Sequence, residues 1–160
     1  MIILGIDPGS LIAGVAVVEV EGATLRGLHL GEIRVPAKVP LEQRLYRIFV
    51  EIGKLVERFH PAVMVLEDTF FARNMHTAFV IGQARAAAMM AAAQHDIPIQ
   101  LYAPAEVKKA VAGFGSADKT QVSYMIRAML DWRQPLTSPD ATDAAAVALT
   151  HAHRFRIPTK

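Results

Sequence analysis

Four carboxylates stand where a folded chain can put them to chemical use. Asp7 ends the apolar run "MIILGID" and leads into Pro8-Gly9. Glu67 ends a second apolar run, "AVMVLE". Asp140 and Asp143 lie three apart in "SPDATDAAAVAL". Taken singly, each has an ordinary explanation. Asp7 can open a Pro-Gly turn, and acids early in a helix complement its macrodipole. Taken together they imply different chemistry. Carboxylates collected at one point repel one another unless a cation sits between them. An all-oxygen set, with no Cys and no HxH or HExxH pair at the same place, suits Mg²⁺ or Mn²⁺ over Zn²⁺. Two such ions can flank one phosphate, one activating a water and the other stabilising the leaving oxygen.

Whether the acids meet depends on the elements that carry them. Ile2–Asp7 reads as a strand buried on both faces. "AGVAVVEV" (Ala13–Val20) and "TLRGLHLGEIRV" (Thr24–Val35) follow as strands joined by short turns, which makes an antiparallel meander. Pro36–Pro40 is a linker. Leu41, Leu45, Ile48, Phe49, Ile52, Leu55, Val56 and Phe59 recur at helical spacing, and His60-Pro61 stops that helix. Ala62–Glu67 is a fourth strand. Met75–Gln94 reads as a long Ala-rich helix, and Ile99–Tyr102 as a short fifth strand. Pro104 opens a short helix carrying Lys108 and Lys109. Ser116 caps a helix to about Leu130. Ser138-Pro139 has the form of an N-cap and a first-position proline, so a last helix runs from there to about His153.

The order βββαβαβ followed by helices predicts an α/β fold, a mixed five-stranded sheet flanked by helices. The crossover through the first helix makes the first and fourth strands parallel neighbours. Asp7 and Glu67 then finish at the same edge, the carboxyl-end edge where open α/β sheets bind ligands. "PDATDAAAVAL" is otherwise poor in charge and must pack against the protein, which turns at least one of its acids inward.

At 160 residues the chain is expected to be one domain, 1–160, with a disordered tail after about 153. It is 52% apolar, yet no stretch reaches the ~18 unbroken apolar residues of a membrane helix. The first apolar run has no basic segment before it, so a signal peptide is not expected. With no cysteines there are no disulfides or thiolate metal sites, as befits a reducing cytoplasm. The net charge of +2 is a weak hint of an anionic partner. Masking four acids with cations would leave the chain clearly basic.

Five segments together carry a family resemblance: "GIDPGS", "LEDTFFARN", "IGQARA", "VKKAVAGFGSADKTQV" and "DATDAAAVALTHAH". In this order and spacing they resemble the RuvC family of bacterial Holliday-junction resolvases, from about residue 1 to 153. The resemblance implies an RNase H-like fold and a homodimer. It implies a Mg²⁺-dependent endodeoxyribonuclease with two ions per subunit, Mn²⁺ being able to substitute. Such an enzyme nicks two strands of a four-way DNA junction symmetrically, leaving 5′-phosphate and 3′-hydroxyl ends, in recombination and repair. A cytoplasmic, nucleoid-associated location and a branch-migration motor complex as partner also follow, with no membrane role. The family's four catalytic acids match Asp7, Glu67, Asp140 and Asp143, the position of Asp140 being His in some members. Asp68 departs from the neutral residue expected after Glu67.

Phe70 and Phe71 cannot both face one side of the core. An exposed ring beside a phosphate-cutting site can stack on unpaired bases, and the resemblance assigns that role to Phe70. It also assigns DNA contacts to Lys108 and Lys119, which are otherwise read as solvated helix positions. Arg73, Arg85, Lys109 and Arg127 are weaker phosphate-contact candidates. His151 and His153 are expected to complement the last helix's C-terminal dipole. The Met75–Gln94 helix is apolar nearly all round, so either a second subunit or the C-terminal helices must cover its far side. Two rival readings remain. Actin-fold ATPases share a "GIDPGS"-like loop but need a second half for which 160 residues leave no room. The other rival is a resolvase-like module that binds junctions without efficient cleavage.

Overall fold

The computed structural model describes residues 1–68, 74–112, 119–136 and 138–156. Its strands are β1 (Ile2–Asp7), β2 (Ile12–Glu21), β3 (Thr24–Arg34), β4 (Val63–Glu67) and β5 (Ile99–Tyr102). They form one sheet in the order β3-β2-β1-β4-β5. The first three strands pair antiparallel, and β1–β4 and β4–β5 pair parallel. The expected mixed sheet and the β1–β4 neighbourhood are both present. Val17 and Val18 flank a register shift between β2 and β3.

Among the described residues, five helices cover the two faces: α1 (Leu41–Phe59), α2 (Met75–Gln94), α3 (Pro104–Ala112), α4 (Lys119–Met129) and α5 (Pro139–Arg156). Side-chain alternation along the central strands divides the core. Leu4, Ile6, Met64 and Leu66 pack with Ile48, Ile52 and Val56 of α1 and Ala88, Ala91 and Ala92 of α2. Ile3, Val63, Val65 and Tyr102 pack on the other face with Val107 of α3, Ile126 of α4 and the alanine-rich face of α5. Alternation with period 2 therefore makes the sheet a partition between two helical layers. No helix among the described residues is long and apolar enough to cross a membrane.

Helix α2 packs beneath α1 and the sheet, so the C-terminal helices do not cover its far side. That side is exposed: Met75 at 78%, Phe79 at 67% and Met90 at 62%, with Ala78, Gly82 and Ala86 also open. The expected all-round burial is thus half realised.

Helix α5 is seated by two missing side chains. A Cβ built on Gly14 would lie 1.9 Å from the Asp140 carbonyl oxygen. One built on Gly5 would lie 2.2 Å from the Ala144 carbonyl oxygen and 2.9 Å from the Ala148 methyl. Backbone meets backbone at these two points, which only glycine permits. Replacing Gly14 with Ala is expected to destabilise the protein by about 1–3 kcal/mol, the usual cost of overpacking. Gly82, with nothing within 4 Å of its added Cβ, should accept Ala with no loss of subunit stability. Urea unfolding of the two variants checks the contrast.

Candidate active site

One transverse row of the sheet organises the site. Asp7 pairs with Gly14, and Gly14 pairs with Glu32 on β3. On the other side Ile6 pairs with Leu66, which brings Glu67 level with Asp7, and Glu67 pairs with Tyr102. Directly paired residues point to the same face, so Glu32, Gly14, Asp7, Glu67 and Tyr102 share the α5 face.

Helix α5 lies across this row. Its cap Ser138 meets Glu32, the Asp140 carbonyl sits on Gly14, Ala144 on Gly5, and the His151 ring bonds the Tyr102 hydroxyl at 2.7 Å. From Ser138 to His151 a helix rises ~20 Å. Four inter-strand spacings come to ~19 Å. The helix thus matches the width of the sheet and is tied at both ends. Its first turn, carrying half-buried Asp140 and exposed Asp143, falls beside Asp7.

The expected N-cap is present: the Ala141 N–H donates to Ser138 Oγ at 3.0 Å. The Thr142 N–H and hydroxyl both reach the Ser138 carbonyl, at 3.1 and 2.8 Å. The backbone around both aspartates is therefore fixed.

The four acids feel one another. Burial, then the charges of Asp143, Asp140 and Glu67, push the Asp7 carboxyl up to about 7. Among the described residues, no three acid or imidazole groups converge to ligating distance of a common point. The quartet is thus close enough for its charges to be felt at Asp7, without three of its members meeting at one point. Its all-oxygen chemistry fits a hard divalent cation, which would relieve the repulsion that Asp7 registers.

Other candidates resolve differently. Asp68 does not join the quartet. Its carboxylate takes a hydrogen bond from Arg85 of α2 at 2.9 Å, and its N–H bonds the Tyr102 carbonyl at 2.7 Å. Arg85, part-buried in that pair, is a poor phosphate contact. Arg127 is also engaged, donating to the Trp132 and Arg133 carbonyls beyond the end of α4. Lys108 and Lys109 are exposed on α3. Lys119 opens α4. Phe70, Phe71, Arg73 and Ser116 lie outside the described residues. His151, expected to complement the C-terminal dipole of α5, is instead buried, bonded to the Tyr102 hydroxyl and packed on Phe155 at 4.7 Å.

Three features escaped sequence reasoning: the Glu32–Ser138 contact, the Tyr102–His151 bond and the Asp68–Arg85 pair. The alternation of "LGEIRV" does place Glu32 opposite Ile33. Nothing in that segment indicates which helix it would meet.

The raised Asp7 carboxyl has a consequence for stability. The folded protein keeps a proton that the unfolded chain releases near pH 4. Stability from this group is full below pH 4 and is lost as pH rises toward 7. In metal-free protein, Asp7→Asn should therefore raise the melting temperature at pH 8 and bring no gain at pH 4. Each kcal/mol recovered is worth roughly 2–4 °C in a chain of this size. An unchanged melting temperature at pH 8, read by calorimetry, would contradict the charge cluster.

Comparison with known proteins agrees with this geometry. Residues 3–151 match the family model described as crossover junction endodeoxyribonuclease RuvC. A protein of that name from Halorhodospira halophila is 46% identical over 158 residues, covering 98% of this chain and 92% of its own length. One from Moorella thermoacetica is 44% identical over 152 residues, covering 95% and 91%. The structure of T. thermophilus RuvC in complex with a Holliday junction substrate superposes with a TM-score of 0.91 at 36% identity, covering 98% of this chain and 95% of that one. The yeast mitochondrial Holliday junction resolvase, at 14% identity and a TM-score of 0.63, shares the fold. The chain belongs to the RuvC family of crossover junction endodeoxyribonucleases.

Proposed function

We propose that this chain is a structure-selective endodeoxyribonuclease that resolves four-way DNA junctions by paired, symmetric nicks. We further propose that residues 1–160 form a single nuclease domain, and that Asp7, Glu67, Asp140 and Asp143 hold two Mg²⁺ ions. The observation that carries this reading is the gathering of four acids at the carboxyl-end edge of the sheet, where burial and then the charges of Asp143, Asp140 and Glu67 raise the proton affinity of Asp7. When bound, such a pair of ions supplies an activated water and a Lewis acid for the leaving oxygen. The chain's own part is to present the carboxylates from rigid supports. Asp7 and Glu67 end central strands, and Asp140 and Asp143 stand on the first turn of a helix fastened to the sheet. The products are a 5′-phosphate and a 3′-hydroxyl.

Phe70 is proposed to stack on unpaired bases at the junction, with Phe71, Arg73, Lys108 and Lys119 along the DNA path. A DNA substrate sets the work in the cytoplasm, at the nucleoid, beside a branch-migration motor complex.

Asp7→Asn, Glu67→Gln, Asp140→Asn and Asp143→Asn are each expected to lower junction nicking at least a hundredfold while junction binding is kept. Removing negative charge takes away metal ligands without weakening attraction to phosphate. The measurement is incubation of a synthetic four-way junction with Mg²⁺, beside a gel-shift titration. Full-rate nicking by Asp7→Asn would refute the two-ion site. Tight binding without nicking by the native chain would favour the binding-module reading.

The open face of α2 supports a homodimer. Met75, Phe79, Gly82, Ala86 and Met90 recur at steps of three and four, so they form one apolar stripe. Small residues at Ala78, Gly82 and Ala86 allow a second helix to approach closely. An isologous dimer would also set two identical sites on like strands of a pseudo-two-fold junction. Because Ala86 is exposed, Ala86→Glu should leave the subunit folded. Sedimentation at micromolar concentration should then show monomer, and the two nicks should become uncoordinated. A native protein that sediments as monomer and binds a junction as one copy would end the dimer model.

A further inference from the structure

Glu32 is a third acid on the row that carries Asp7 and Glu67, two strands away from Asp7, and its side chain is only 9% exposed. Both of its oxygens are engaged. One accepts the Ser138 hydroxyl, and the other takes the Arg34 guanidinium. Ser138 in turn accepts the Ala141 N–H through Oγ and, through its carbonyl, two bonds from Thr142. Ala141 and Thr142 are the residues between Asp140 and Asp143. A continuous chain of hydrogen bonds therefore runs from edge strand β3 to the backbone between the two aspartates.

We infer that Glu32 is a positioning residue for the metal-binding acids of α5, acting through the Ser138 cap. This rests on the proposed two-ion site and adds to it a residue that contributes no ligand. The physical reason is directional. A serine hydroxyl rotates freely, and as a bare cap it can point its proton anywhere. With its proton held by a buried carboxylate, its lone pair is aimed at the Ala141 N–H. The carboxylate also lies at the positive end of the α5 dipole, which favours its charge there. Repulsion within the quartet pushes the first turn of α5 away from Asp7. The Glu32–Ser138 bond opposes that displacement from the sheet side. Because both Glu32 oxygens are occupied, the residue acts on the ions only through α5.

The test uses the full chain with Glu32→Ala, its near-isostere Glu32→Gln, Ser138→Ala and the double variant Glu32→Ala/Ser138→Ala. Amide exchange at Ala141 is followed by NMR in metal-free protein. Mn²⁺ binding is followed by electron paramagnetic resonance, and the half-maximal Mg²⁺ for nicking is measured beside junction affinity. Glu32→Ala should speed Ala141 exchange and raise both metal midpoints about tenfold or more, the usual scale for groups that orient ligands. Junction affinity and the number of bound ions should not change. Glu32→Gln keeps an oxygen that can accept the Ser138 hydroxyl and should recover most of the loss. The double variant should be no worse than the poorer single.

Unchanged Ala141 exchange together with unchanged midpoints would overturn the inference. So would additive losses in the double variant, or a fall in melting temperature with normal metal midpoints. Loss of one bound ion in Glu32→Ala would make it a ligand and also refute it. A native chain that binds Mn²⁺ but cuts no junction would instead refute the proposed activity, and the exchange and Mn²⁺ results would still decide the role of Glu32.

Discussion

Backbone-to-backbone contact between α5 and the sheet is the constraint on which the site depends. A helix normally packs on a sheet through side chains, which hold the two some 10 Å apart. Here Gly14 and Gly5 remove that spacer, and the carbonyls of Asp140 and Ala144 come down onto β2 and β1. Short side chains on a helix can then reach residues on strands. Aspartate is the shortest carboxylate, so Asp140 and Asp143 approach Asp7 only because the helix is low. The run of alanines at Ala144, Ala145 and Ala148, all fully buried, serves the same close approach along the rest of the helix.

Close approach brings its own opposition. Four acids at one edge repel, and burial together with their charges makes Asp7 hold a proton to about pH 7. A cluster of this kind destabilises the fold locally, and the surrounding structure must resist its dispersal. The sheet does so through hydrogen-bonded central strands that cannot yield separately. Helix α5 does so by being tied at both ends, to β3 through Ser138 and to β5 through the Tyr102–His151 bond. These polar contacts on both flanks hold α5 across the sheet where purely apolar packing would let it slide.

Much of this was legible in the sequence because the signals are local. Apolar runs ending on acids located Asp7 and Glu67, and the crossover rule made β1 and β4 neighbours. Ser138-Pro139 marked the start of α5, and Met75–Gln94 and Ile99–Tyr102 agree with the observed elements to the residue. What was not legible depends on long-range partner choice. Period-2 alternation assigns Glu32 a face but not a helix to meet. His151 sits near a helix end, where dipole complementation is the local expectation. Its burial follows from α5 reaching β5, which depends on the crossing direction of the helix. Asp68 was ambiguous for the same reason, since Arg85 lies seventeen residues away on an element of the opposite layer.

The partition by the sheet assigns the two layers different work. Helices α3, α4 and α5 share the face of the acids. Helices α1 and α2 share the other, and there α2 leaves its apolar stripe open. The apolar stripe and the acids thus lie on opposite faces of one sheet, the first shaped for dry apolar contact and the second polar and accessible to phosphate. The faces are still not independent. Asp68 follows Glu67 directly, and its carboxylate is held by Arg85 of α2. A shift of α2 in its contacts would therefore reach the backbone of Glu67 within one residue.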